Sequence, residues 1–180
     1  MMRQSKSIPN IQRPGQIKGM TLGALGRYDK AIKALEAIRI DSQLAEAHYN
    51  KGKALSGLGK HEEAIASFDN AIDINPQFAL AWRNKGLALI ELGKHQEALQ
   101  AYDEALKINP QYEAAWYSKA LALSEMGRLE EAVAALNETL RINSEFAAAW
   151  QKKAVNLQAL ERSAEAREAF ARAGEMGYTG

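Results

Sequence analysis

Trp82, Trp116 and Trp150 stand at intervals of 34 residues, and their surroundings recur with them. The segments read AWRNKGLAL, AWYSKALAL and AWQKKAVNL, and one period earlier comes AHYNKGKAL, with His48 in the tryptophan's place. A second set recurs in step: FDNAIDINPQF, YDEALKINPQY and LNETLRINSEF. A fixed period of this length means similar units, each too small to bury its own apolar face, stacked so that neighbours cover one another. Units 45–78, 79–112 and 113–146 are regular. Unit 147–180 is degraded at its end. A poorer unit, 12–44, is one residue short around Lys33 to Glu36, and 1–11 is expected to be a disordered tail.

Each unit reads as two helices, A and B. In 79–112, helix A is expected from Ala79 to Leu92 and helix B from His95 to Ile108. Asn109-Pro110 ends helix B, because proline disfavours helix in the residue before it. Gly26, Gly59, Gly93 and Gly127 mark the turn between helices, where glycine is the common stop, and Glu161 departs from that pattern. Gly52 and Gly86 in helix A, and Ala64, Ala98, Ala132 and Ala166 in helix B, let paired helices approach closely. Phe68, Tyr102, Leu136 and Phe170, with the three tryptophans, fill the remaining space. At 100° per residue, Trp82, Gly86 and Leu89 share one face of helix A. Ala81, Ala88 and Leu92 share a second. That arc is too wide for one partner helix, so helix A packs on its own helix B and on a neighbouring unit.

Length, small positions, aromatic positions and turn positions together resemble the tetratricopeptide repeat family. The resemblance implies an all-α, right-handed superhelical solenoid of helix pairs whose A helices line a concave groove. It also implies a non-catalytic module that binds a peptide or protein segment there. The positions carried over are Tyr49, Asn50 and Lys53, then Arg83, Asn84 and Leu87, then Tyr117, Ser118 and Leu121, and finally Gln151 and Lys152. Asparagine can both donate to and accept from a peptide backbone, and tyrosine offers apolar area with a polar tip. Replacing Arg83 and Asn84 with alanine is expected to weaken capture and leave thermal stability unchanged. One branch of the family clamps acidic chaperone tails. Counted from the second unit, its places hold Tyr49, Lys53, Asn84, Ala114 and Ser118. Counted from the third, they hold Arg83, Leu87, Ser118, Ala148 and Lys152. Neither frame supplies that clamp's residues.

Lys18, Lys51, Lys85, Lys119 and Lys153 form a ladder at one helix A position between the two apolar faces. The favoured reading is structural: a buried stem with its ammonium outward, meeting helix C-terminal carbonyls or an acid such as Asp73. The alternative is a cationic stripe for an anionic polymer. His61 and His95 are repeat-equivalents, a helix pair apart and too distant for one metal, and His48 reads as a core-edge residue. No phosphate loop, metal-ligand spacing or catalytic constellation stands out, so no enzyme activity, cofactor or metal is expected.

The chain of 180 residues carries 23 basic and 22 acidic side chains, without the basic excess of a nucleic-acid binder. It has no cysteine. No apolar run approaches the roughly 20 residues of a membrane span, so a cytoplasmic protein without nucleic-acid or membrane partners is expected. At the C-terminal end, Ala169, Ala173 and Met176 are expected to form an exposed apolar stripe. Two further readings follow: a scaffold that forms homo-oligomers through its end repeats, or a targeting domain belonging to a larger enzyme.

Overall fold

Apolar side chains recurring every three or four residues build helices, and glycine or Asn-Pro punctuation ends them. A computed structural model describes residues 45–177. The tail 1–11 and unit 12–44, with Lys18 and Gly26, lie outside the described residues. Eight helices follow one another among the described residues: α1 Ala45–Gly57, α2 His61–Ile74, α3 Ala79–Glu91, α4 His95–Ile108, α5 Glu113–Glu125, α6 Leu129–Ile142, α7 Ala147–Ala159 and α8 Ser163–Glu175. Odd-numbered helices are the A helices and even-numbered ones the B helices. Helix α3 ends one residue before the expected Leu92.

Each described A helix packs on its own B helix, and α3, α5 and α7 pack also on the B helix before them. The wide buried arc required this. Successive A helices also touch, α1 with α3 and α3 with α5, and no comparable contact joins successive B helices among the described residues. The A side is therefore the inner side of the curve. The result is an all-α repeat solenoid.

The hairpin interior rests on size matching. A Cβ built on Gly52 would lie 2.6 Å from the Phe68 ring, and one on Gly86 would run into Tyr102. Both rings are fully buried. Gly59, Gly93 and Gly127 close the turns at φ of 74°, 71° and 72°, and Glu161 adopts the same left-handed backbone at φ 59°. The turn geometry thus survives without glycine.

Between units, the Asn75 side chain accepts the Gln77 N–H at 3.1 Å, and the Trp82 indole donates to the Pro76 carbonyl at 3.1 Å. The same lock recurs at Trp116 with Pro110 and at Trp150 with Ser144. The tryptophans are half-buried at unit junctions and keep one edge wet.

Two expectations are corrected. Ala169 and Ala173 are each 1% exposed. They are repeat-equivalents of Ala135 and Thr139, which are also buried, so they face inward and form no outer stripe. The outer face of α8 instead carries Arg167 and Gly174, where α4 and α6 bury Leu99 and Leu106, and Val133 and Leu140. That face is solvated rather than apolar. The lysine ladder does fold its stems inward, but its acids are Asp69 and Asp103, not Asp73: Lys85–Asp69 and Lys119–Asp103 both measure 2.6 Å. Asp73 lies one helical turn further along α2. Lys85, Lys119 and Lys153 also sit 5.4, 5.5 and 5.0 Å from the centroids of Trp82, Trp116 and Trp150.

Candidate functional site

The concave face takes its shape from the outward arc of the A helices. Leu87, Leu121 and Val155 occupy one repeat-equivalent position on α3, α5 and α7. Leu87 and Leu121 are half-buried, while Val155 is 46% exposed, as is Leu80, in the first turn of α3, at 44%. These apolar side chains line the inner curve with part of their surface open, and Leu87 also packs against the core.

The polar candidates fall into two groups. Several hold neighbouring units together. Asn84 Nδ2 donates to the Tyr49 phenol at 3.3 Å and to the Leu80 carbonyl at 2.8 Å, which ties α3 to α1. Burial pushes the Tyr49 phenol up from its ordinary value, so it keeps its proton and accepts this bond. Its ring leans on Phe78 and Phe68 at 5.0 and 6.0 Å. Arg83 Nε reaches α5, where it donates to the Ala114 carbonyl and the Ser118 hydroxyl, both at 3.2 Å. Ser118 is 4% exposed and donates to Ala114 at 2.7 Å, so its hydroxyl is turned into the structure and not toward the groove. Tyr117 packs its ring 4.7 Å from Phe146.

The second group lies freer on the surface. Lys53 is exposed, with its ammonium 5.5 Å from the Tyr49 centroid. Asn50, Gln151 and Lys152 are half-buried. The eleven candidates thus share the A side, but about half of them brace it.

A feature not foreseen lies at the edge of this face. A depression of about 340 Å³ is lined by Ser56, His61, Asn84, Leu87, Ala88 and Glu91, with Gly59 at its side. His61 belongs to a B helix and Glu91 to the next A helix, so reading one unit at a time separates them. Their 30-residue offset, repeated at His95 and Glu125, was the available signal.

Among the described residues, no helix is long and apolar enough to cross a membrane. No group of three His, Cys, Asp or Glu could hold a metal ion among them.

The sequence matches descriptions of the tetratricopeptide repeat over residues 18–77, 49–113 and 89–155. Among curated proteins, none matches this chain. A crystal structure of MamA is similar with a TM-score of 0.83 and 26% identity, covering 88% of this chain and 94% of that one. MamA 41-end from Desulfovibrio magneticus RS-1 has a TM-score of 0.82 and 21% identity, with coverage of 91% and 93%. YrrB, described as a TPR protein with an unusual peptide-binding site, has a TM-score of 0.74 and 21% identity, with coverage of 91% and 84%. At 21% identity the latter two speak for the fold alone.

Proposed function

Because the chain belongs to the tetratricopeptide repeat family, we propose that its A helices hold an extended segment of a partner protein along the concave face, without catalysis. The observation that carries this is the apolar line of Leu87, Leu121 and Val155 left partly open on the inner curve. Fully burying such a side chain contributes about 1.5–3 kcal/mol, so covering three half-open ones supplies useful affinity. Lys53, Asn50, Gln151 and Lys152 flank that line with groups able to pair with a peptide backbone.

The test compares two double variants in affinity capture from native cell extract, with helicity checked for each. Leu121→Asp with Val155→Asp places charge on the inner curve. Gln100→Asp with Ala134→Asp places it on exposed B-helix positions. Loss of the captured partner by the first and retention by the second supports the concave face. Equal capture by both removes the proposal.

A further inference from the structure

The depression at the first unit junction coincides with a small residue: serine stands at this position here and again at Ser124, where Asn156 Nδ2 reaches over to donate to it at 2.7 Å. Ser56 occupies the position that Ile90 holds one unit later, where the isoleucine packs against the core. In that later unit His95 Nδ1 lies 3.8 Å from the Glu125 carboxylate. At the depression the equivalent residues are His61 and Glu91. His61 Nδ1 is enclosed and lacks a hydrogen-bond partner among the described residues, as does His95 Nδ1, so the two junctions differ at Ser56 and Ile90 rather than at the histidine. Glu91 is exposed, and none of the ion pairs among the described residues engages it.

Most of the remaining polar valences of the depression can accept, although the Ser56 hydroxyl and His61 Nδ1 can also donate. Asn84 Nδ2 already donates to Leu80 and Tyr49, which leaves its Oδ1 as an acceptor. Glu91 adds two carboxylate oxygens, and Ser56 adds a hydroxyl. Two cations close to it in sequence have other partners: Lys60 pairs with Glu63 at 3.2 Å, and Lys53 lies over Tyr49. Leu87 and Ala88 supply an apolar wall. A short apolar passage ending in a carboxylate and an amide oxygen complements a methylene stem carrying a planar cation with several donors.

We propose that this depression is a specificity pocket for one arginine side chain of the bound segment. The proposal rests on the concave-face reading and gives that face a chemical preference. The guanidinium meets the Glu91 carboxylate and Asn84 Oδ1, while its stem lies on Leu87 and Ala88. At this junction Ser56 leaves open what Ile90 fills at the next.

The experiment titrates the full isotope-labelled chain with N-acetyl-arginine methylamide and follows amide signals by NMR. The lysine analogue and the neutral citrulline analogue serve as comparisons. Expected are saturable shifts centred on Gly59, His61 and Glu91, with citrulline binding at least about tenfold more weakly. Glu91→Gln should weaken the arginine probe about tenfold. Ser56→Ile should abolish binding while helicity is kept, since the neighbouring unit carries isoleucine there. Shifts elsewhere, equal binding of citrulline, or an unaffected Glu91→Gln overturn the proposal. Equal binding of the lysine analogue overturns the guanidinium assignment. Leu121 and Val155 lie outside the pocket, so the two readings fail separately. If their variant captures the partner normally while the arginine probe still binds, the concave reading falls and the pocket stands. If that variant loses capture while the probe does not bind, the reverse holds.

Discussion

At Gly86 a helix interior accepts a residue that costs about 1 kcal/mol against alanine, and the Tyr102 ring fills the space a Cβ would need. One unit later Ala120 faces Leu136, so glycine pairs with an aromatic ring and alanine with a smaller side chain. Gly86→Ala should destabilise the chain by about 1–3 kcal/mol through overpacking. Adding Tyr102→Leu should recover much of that loss in urea unfolding, and no recovery would refute the size matching. Lys153 tells a related story. Asn137 stands where Asp69 and Asp103 hold the other lysines, and burial keeps the Lys153 ammonium below lysine's usual 10.5. Below its lowered folded value the lysine is charged in both states, and the desolvation cost is present in full. As pH rises from there toward 10.5, the folded form sheds its proton first, so this group's contribution to stability rises. Asn137→Asp should supply the missing partner, stabilise by up to about 1 kcal/mol and flatten that rise. A melting temperature of the unsubstituted chain that does not rise across this range, or one that rises as steeply in Asn137→Asp, would count against it.

Among the elements, the turns and junctions decide what was readable. Gly93 and Asn109-Pro110 placed helix α4 to the residue, because those signals act locally. Glu161 holds the same left-handed turn at a side-chain cost, so Glu161→Gly should raise stability by about 1 kcal/mol in thermal unfolding. What crosses between helices was less legible. A wheel gives the angle of a residue on its own helix but not the stagger between two helices. Asp73 was therefore named for the ladder, where the stagger brings Asp69 instead. Asn84 with Tyr49, and Arg83 with Ser118, are 35 residues apart, and both pairs had been assigned to the same groove. Their bonds run along the inner curve and brace it. Arg83→Ala with Asn84→Ala should consequently lower stability by about 1–3 kcal/mol, against the expectation of unchanged stability. Urea midpoints of the double variant decide between the two.

For the whole molecule, the period alone determined the solenoid, since every unit needs its neighbours to cover its second face. Which side of α8 faces solvent was not decided by a stripe of alanines. It followed from the positions one unit back, where Val133 and Leu140 are buried and Arg167 and Gly174 now stand. The same comparison of equivalent positions shows a line of apolar side chains left partly open along the inner curve. The most direct measurement is methyl NMR of the leucine- and valine-labelled chain before and after adding the partner found by capture. Leu87, Leu121 and Val155 methyl signals should shift, while those of Leu106 and Leu140, buried at unit junctions, should stay in place. Shifts that spare the three inner-curve residues and cluster on the B helices would contradict the concave-face reading.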